Sequence, residues 1–348
     1  MAELWFGIVA TMLTLYVVLD GFDLGAGALQ LLVAKTDAER RQVLAAIGPY
    51  WDGNEVWLLA SAGALFVAFP QVLAAGLSGF YFAIFLVLWC LILRGVAIEF
   101  RSHVADPMWR GFWDATWCLA SALLVVFFGA ALGNLIRGLP IRPDGWFDLT
   151  LFTDWSARPP VGILDWYTVL VGIFALLALS LHGACWLAWR TAGPVQARSR
   201  ALGRGLAVAV AVAWPLITWA TVEVYPDMLA AFVRRPFAWL AALGALLGIA
   251  ACFAGLRRGR DLRAFLGTSG LVGGLLVATA ATTFPVMLRA VPDATRSITA
   301  TSAGGDAAGL RTALGWWVIG FPIAIGYLVL LLRLHRGKAM APKDGEGY

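Results

Sequence analysis

Nine apolar stretches, each about 20 residues long, divide this chain of 348 residues. A membrane-spanning α-helix needs about 20 consecutive apolar residues to cross a hydrocarbon layer about 30 Å thick. The composition agrees, because 61% of the residues are hydrophobic and only 14% are charged, whereas soluble domains contain about 25% charged residues. The sequence therefore predicts an all-α membrane protein, a polytopic bundle of about nine transmembrane helices.

The predicted spans are Ala2 to Leu19 (continuing towards Val33), Val56 to Ala75, Leu77 to Ile98, Phe112 to Ile136, Leu164 to Trp186, Leu202 to Val224, Phe237 to Leu256, Phe265 to Phe284, and Leu314 to Leu334. We expect residues 1–334 to form a single transmembrane domain and residues 335–348 a polar cytoplasmic tail. No segment between spans is long enough for a further domain; Arg137 to Ile163, for example, has 27 residues. Any chemistry must therefore lie within the bundle or in a partner.

The basic residues predict how the bundle is oriented. With the N-terminus outside, 18 of the 26 Lys and Arg residues fall in the cytoplasmic segments, among them Lys343 in the tail. Positive charge accumulates in cytoplasmic loops, so we expect a periplasmic N-terminus and a cytoplasmic C-terminus. The net charge of +5 records these loops, and nucleic acid is not an expected partner. No Lys or Arg precedes Lys35, so the first span lacks the basic start of a cleaved signal peptide and should be retained.

Two local patterns predict details of the bundle. Thr36 and Glu39 have the spacing of a capping box, which should open a short helix that runs to about Ile47. The pairs Gly21 and Gly25, and Gly129 and Gly133, have the small-xxx-small spacing that lets two helices approach closely in a membrane.

Two pairs of acids stand at the ends of apolar stretches. Asp20 and Asp23 are three residues apart, as are Asp52 and Glu55, so on a helix each pair shares one face. An ionisable group at membrane depth costs several kcal/mol or more and marks a proton or ion path, a ligand site or a buried contact.

The chain has few residues that could hold a cofactor. Haem in a helical bundle needs axial ligands such as His, Met or Cys, but of the three histidines only His182 lies within a predicted span. We expect His182 to be a packing residue with satisfied hydrogen bonds. The four cysteines also fall in spans and show no CxxC spacing. No cofactor or metal site is predicted in this chain.

Several motifs resemble subunit II of the cytochrome bd-type quinol oxidases. They are Gly21-Phe22-Asp23-Leu24-Gly25, Trp51-Asp52-Gly53-Asn54-Glu55-Val56-Trp57, Ser78-Gly79-Phe80-Tyr81, Arg94 through Glu99-Phe100-Arg101, Gly133-Asn134-Leu135, Gly138-Leu139-Pro140, Arg190-Thr191-Ala192-Gly193-Pro194 and Phe284-Pro285-Val286-Met287. The segment from Leu288 to Thr299 departs from the pattern of the family.

This resemblance implies a heterodimer in the bacterial inner membrane, with a small single-helix subunit as a possible third component. The homologous subunit I would hold haems of the b and d types, oxidise quinol at the outer face and reduce oxygen to water. The present chain would be the haem-free subunit and would not be catalytic alone.

Oxygen reduction consumes protons, and the acids are predicted to lie at the cytoplasmic edge of the membrane. We therefore expect Asp20 and Asp52 to lie on a proton path into the complex. The residues expected to form structural ion pairs are Asp23, Glu55, Arg94, Glu99 and Arg101. Two alternatives remain open, a purely structural subunit and a proton-coupled secondary transporter, although the site of a transporter is expected near the bilayer midplane.

Overall fold

The computed structural model describes residues 1–341; residues 342–348, which include Lys343 and the end of the predicted tail, lie outside the described part. The described residues form 13 α-helices, α1 (Ala2–Val33), α2 (Asp37–Ile47), α3 (Trp51–Ala68), α4 (Pro70–Gly79), α5 (Tyr81–Phe100), α6 (Pro107–Arg137), α7 (Trp166–Arg190), α8 (Gly193–Val224), α9 (Asp227–Val233), α10 (Pro236–Arg257), α11 (Asp261–Thr283), α12 (Ala300–Ala303) and α13 (Ala307–Leu334). Eight of them are long and apolar enough to cross a membrane, namely α1, α5, α6, α7, α8, α10, α11 and α13. The predicted membrane bundle is confirmed.

The second predicted span is divided between two helices. Val56 to Ala75 falls partly on α3 and partly on α4, which meet at Phe69, whose backbone is not helical (φ −142°, ψ 61°). Pro70 explains the break, because proline disfavours the helical conformation of the residue before it and itself suits the first position of a helix. The Ala68 carbonyl accepts a hydrogen bond of 2.9 Å from the Gly305 N–H, so this freed backbone group still has a partner.

Helix α1 packs against α3, α6, α7 and α11, and glycine allows the closest of these approaches. A Cβ added at Gly25 would lie 1.9 Å from the Leu179 carbonyl oxygen on α7, and one added at Gly183 would lie 2.3 Å from the Gly25 carbonyl carbon. At Gly129 on α6, an added Cβ would lie 2.8 Å from the Gly172 Cα on α7. The predicted close packing at Gly25 and Gly129 is confirmed.

The starts of α1 and α13 lie at the same end of the bundle, because the Trp5 Nε1–H on α1 donates to the Leu310 carbonyl on α13 at 3.2 Å. Both helices therefore end at the opposite side, which we call the inner end. Met1 and the end of α13 thus lie at opposite ends of the bundle. After α13, the chain returns to the end of α7, where the Ala339 N–H donates to the Arg190 carbonyl at 2.6 Å.

The short helix α2 lies at the inner end and confirms the predicted capping box. The Thr36 hydroxyl accepts from the Glu39 N–H, and Glu39 Oε2 accepts from the Thr36 N–H. Arg198 on α8 also donates to both Glu39 carboxylate oxygens, at 2.8 and 3.1 Å. The hydrogen bond from Arg198 is the main cause that lowers the pKa of Glu39 to about 2.

The outer end carries structure that the all-α prediction did not include. Strands β1 (Val286–Leu288) and β2 (Ile298–Thr299) form an antiparallel pair within the segment that follows α11. Buried Arg137, at the end of α6, contacts the Asp165 carboxylate that caps α7, and its Nη2 donates to Asn134 Oδ1 at 2.7 Å. This ion pair fixes both ends of the irregular segment 138–163.

Candidate functional site

Three ionisable side chains from three helices meet towards the inner end of the bundle. Arg94 on α5 is fully buried and donates from Nη1 to Asp20 Oδ2 on α1 at 2.9 Å, while its Nη2 contacts Asp20 Oδ1. Glu55 Oε2 on α3 lies 3.6 Å from Arg94 Nη1. Two-pronged contact between guanidinium and carboxylate is the geometry in which a buried ion pair can offset its desolvation. Arg94 thus links α1, α3 and α5.

Asp23 lies one helical turn beyond Asp20 and is also fully buried. Its Oδ2 accepts a hydrogen bond of 2.8 Å from the Asn54 amide on α3, and its Oδ1 has no hydrogen-bond partner within residues 1–341. We expected Asp23 to hold an arginine, but in the structure Asp20 and Glu55 are the carboxylates at Arg94. Asp23 is therefore a buried acid whose described polar contact is to a neutral amide.

Asp52 lies in the first turn of α3 and is exposed. It lines a cleft of about 330 Å³ between α3 and α13, with Tyr327 and Leu331 of α13 opposite it and Trp57 and Trp317 deeper in. The walls of the cleft are mostly apolar, whereas Asp52 and Asn54 make its inner end polar. The structure therefore brings Asp52, Asn54 and the two buried acids of α1 to adjoining turns of α1 and α3.

Arg101, the second predicted arginine, belongs to a separate cluster closer to the surface. Its Nε donates to Asp114 Oδ1 on α6 at 2.6 Å, and its Nη2 donates to Asp37 Oδ1 on α2 at 2.8 Å. Arg40 and Arg110 add one contact each to these carboxylates, both at 2.9 Å. This cluster joins α2, α5 and α6.

Glu99, the remaining predicted site residue, lies exposed near the end of α5. The carboxylates that pair with Arg101 belong to Asp37 and Asp114. The sequence analysis identifies neither residue as a site residue. Asp114 carried a usable signal, because it is an acid just inside the predicted span that begins at Phe112. Asp37 had no such signal, since it lies in a polar loop.

His182, the one histidine within a predicted span, is occupied by packing contacts. His182 is fully buried, with Nδ1 2.7 Å from the Thr268 hydroxyl and Nε2 2.9 Å from the Val18 carbonyl oxygen, and its ring stacks on Phe265. The expected role as a hydrogen-bonded packing residue is confirmed, and both ring nitrogens already have partners. In the part of the chain that the structure describes, no group of three or more His, Cys, Asp and Glu residues could hold a metal ion.

The family model described as Cytochrome bd terminal oxidase subunit II matches residues 1–335. The chain belongs to this family. Its relatives include cytochrome bd-I ubiquinol oxidase subunit 2 of Escherichia coli K12, which is 35% identical over 213 residues, 61% of this chain and 55% of that protein. The match thus spans about half the length of this relative. Cytochrome bd ubiquinol oxidase subunit 2 of Bacillus subtilis is 35% identical over 234 residues, 67% of this chain and 65% of that protein.

The fold is similar to a chain of the bd oxidase from Geobacillus thermodenitrificans, with a TM-score of 0.71. The match covers 96% of this chain and 98% of the other, at 15% sequence identity, and at this identity it bears on the fold alone. Membership of the bd oxidase subunit II family and eight apolar helices identify a multi-pass protein of the bacterial cytoplasmic membrane.

Proposed function

We propose that this chain is the haem-free subunit of a quinol:oxygen oxidoreductase of the aerobic respiratory chain. It pairs with a haem-bearing subunit I, and the complex oxidises quinol and reduces oxygen to water with protons taken from the cytoplasm. The family match over residues 1–335 carries this proposal. The names of the Escherichia coli and Bacillus subtilis relatives, which are ubiquinol oxidase subunits, support the substrate.

The face formed by α3, α5 and α13 is the proposed contact with the partner. Among the described residues, Leu310 is the one side chain that helix α13 buries. The ends of α13 are held by the Trp5 contact and by the return of the chain to Arg190. Large side chains such as Trp89 and Trp316 are exposed on this face. A haem-bearing subunit seated here would cover the apolar part of the cleft around Trp57 and Trp317 and leave Asp52 at its inner end open to water.

A proton path through this chain would begin at Asp52. A group that transfers protons must be reached by water on one side and must lie within hydrogen-bond reach of the next group, directly or through one water. Asp52 is exposed at the inner end, Glu55 lies three residues further along α3 on the same face, and Asn54 contacts the buried Asp23. These three neighbours connect the surface to the acids of α1.

The contacts favour Asp23 over Asp20 as the inner group of this path. Asp20 is held by two contacts from Arg94, and a carboxylate in such a pair neutralises a buried guanidinium. Asp23 has no hydrogen bond from a guanidinium group within residues 1–341, and its Oδ1 has no hydrogen-bond partner there. The sequence alone predicts the reverse, with Asp20 on the proton path and Asp23 in a structural ion pair. Single substitutions of Asp20 and Asp23 can decide between the two assignments.

A purely structural role for the acids is the second candidate, and the Asp20–Arg94 pair favours it. That pair joins α1 to α5 at full burial, which would stabilise the subunit whether or not protons pass. The two candidates share the same complex and differ only in whether carboxylate variants slow its turnover.

The identity of the complex is tested by purifying the chain alone and with its partner. The chain alone should bind no stoichiometric haem, because both nitrogens of buried His182 are occupied. Co-purified with subunit I, it should yield a haem-containing complex that consumes oxygen with quinol. One haem per chain in the isolated subunit would contradict the proposal.

A further inference from the structure

Five exposed arginines gather around the inner ends of α8, α10 and α11, on a side that the proposed proton path does not use. This arginine cluster consists of Arg204, Arg257, Arg258, Arg260 and Arg263. Within residues 1–341, none of the five makes an ion pair with an acidic side chain. Among the described residues, therefore, no carboxylate neutralises these five guanidinium groups, which are the kind of group that binds an anion.

The packing of α8 on α10 and α11 brings the cluster together. Arg200 on α8 donates to both oxygens of Asp261, the first residue of α11, at 2.8 and 2.7 Å, and a Cβ added at Gly203 would lie 3.5 Å from the Leu256 side chain on α10. Gln196 also donates to Asp261, at 3.1 Å. Asp261 thus has its hydrogen bonds from α8, and within residues 1–341 it neutralises none of the five arginines of the cluster.

Exposed apolar side chains continue from the cluster towards the middle of the bilayer. On α8, Arg204 is followed at intervals of four residues by Val208 and Val212, which are 55% and 60% exposed and so share its face. On α11, Leu262 and Leu266 are 44% and 59% exposed. The exposed guanidinium groups thus lie at the inner ends of helices that are long and apolar enough to span a membrane, and exposed apolar side chains follow them along α8 and α11.

We propose that the arginine cluster and this apolar strip form a binding site for an anionic phospholipid of the inner leaflet. Guanidinium groups bind phosphate through paired, charge-assisted hydrogen bonds, and basic residues at the inner membrane surface attract anionic lipids. The headgroup phosphate would lie among Arg204 and the residues of the α10–α11 turn, and an acyl chain would lie along Val208 and Val212. The site is independent of the acids of α1 and α3.

The test uses the intact complex with its partner, stripped of lipid by detergent and titrated with dioleoyl phosphatidylglycerol or dioleoyl phosphatidylcholine. Native mass spectrometry reports the lipid bound. The wild type should bind phosphatidylglycerol more tightly than phosphatidylcholine. Replacement of Arg257, Arg258 and Arg260 by Gln should weaken phosphatidylglycerol binding about tenfold, the loss that corresponds to about 1.4 kcal/mol, and should leave phosphatidylcholine binding unchanged.

A matched control removes the same number of charges elsewhere. Replacement of Arg158, Arg234 and Arg296, all exposed at the outer end, by Gln should leave phosphatidylglycerol binding at the wild-type level. If the variant with Arg257, Arg258 and Arg260 replaced does not assemble, the single substitution Arg204→Gln serves as the test. We expect it to weaken phosphatidylglycerol binding about threefold. Wild-type phosphatidylglycerol binding in the cluster variants, or no preference for phosphatidylglycerol in the wild-type complex, would overturn the proposal. Competition by inorganic phosphate as effective as by phosphatidylglycerol would overturn it in favour of a free-phosphate site.

Discussion

Arg94 meets two carboxylates in unequal ways, Asp20 through two contacts and Glu55 at 3.6 Å. At the level of single side chains, this inequality separates acids that hold a buried cation from acids that do not. The sequence indicated which acids matter, because Asp20, Asp23, Asp52 and Glu55 all stand at the edges of apolar stretches. It could not indicate which acid takes Arg94, since α1, α3 and α5 are distant in the chain and their rotation in the bundle decides it.

Replacement of Asp52 by Asn should slow turnover without loss of assembly. The change removes the exchangeable charge at the mouth of the cleft with almost no change in shape, and Asp52 is exposed, so folding should tolerate it. If Asp52 limits proton entry, oxygen consumption per haem with excess quinol should fall about tenfold or more, at least about 1.4 kcal/mol of barrier. Asp106→Asn is the control, because Asp106 is an exposed helix cap and Asn caps helices equally well. Full turnover in Asp52→Asn would place the path in the partner.

Asp20→Asn and Asp23→Asn should fail in different ways. The first removes the two-pronged partner of buried Arg94 and leaves Glu55, 3.6 Å away, as its one carboxylate contact within residues 1–341. Breaking a buried ion pair costs about 3–5 kcal/mol, so the yield of intact complex should fall. The second keeps a group that can bond Asn54 and strips no arginine, so assembly should survive and turnover per haem should fall. Yield and oxygen consumption per haem, measured on both variants, distinguish the roles. A stable, fully active Asp23→Asn complex would remove Asp23 from the path.

At the level of helices, the signals that predicted structure well were those that act within one or two turns. The capping box of α2 is local, and the glycine spacing on α1 and α6 is set by helical periodicity, so both could be predicted. The break at Phe69 also had a local cause in Pro70, but the continuous apolar run concealed it. The β1–β2 pair was missed because residues 286–299 contain too few residues for a strand pattern to be distinguished from a loop.

A methyl group at Gly25 should separate α1 from α7. An added Cβ would lie 1.9 Å from the Leu179 carbonyl oxygen, a backbone atom that cannot move without shifting α7. Gly25→Ala should therefore greatly reduce the yield of folded subunit. Gly7→Ala in the same helix is the control, because an added Cβ there has nothing within 4 Å and alanine favours a helix by about 1 kcal/mol. Equal yields of the two variants, measured by size-exclusion chromatography, would show that the helices separate easily.

The link between α2 and α8 should depend on pH. The pKa of Glu39 is lowered to about 2, so its charged form stabilises the fold; this contribution is complete above the ordinary Glu pKa of about 4.3 and is lost as the pH falls towards 2. Glu39→Gln should therefore lower the melting temperature at pH 7, with a cost of about 1 kcal/mol for a cap and a partly exposed ion pair. The difference from wild type should shrink between pH 5 and pH 3. Glu3→Gln, at an exposed site, should show no difference at either pH.

For the assembly as a whole, the direction of insertion decides whether the acids can supply the reaction. Asp52 and the Arg101 cluster lie at the inner end, where α1 and α13 terminate, and protons taken from the cytoplasm add to the membrane potential when oxygen is reduced. The basic residues predict that this end is cytoplasmic. Length and hydropathy predict nine crossings but are equally compatible with the reverse orientation, so loop charge alone carries this prediction.

Reporter fusions should read the orientation directly. After Lys338, which follows α13 at the inner end, a reporter that functions in the cytoplasm should be active and one that functions outside should be inactive. Near Gly145, in the segment between α6 and α7, a reporter that functions outside the cytoplasm should be active and a cytoplasmic reporter should be inactive. Both fusions are made in the full chain co-expressed with its partner, so that assembly is preserved. The opposite pattern would place Asp52 on the periplasmic side, and the acids could then not take up cytoplasmic protons whatever their variants did to turnover.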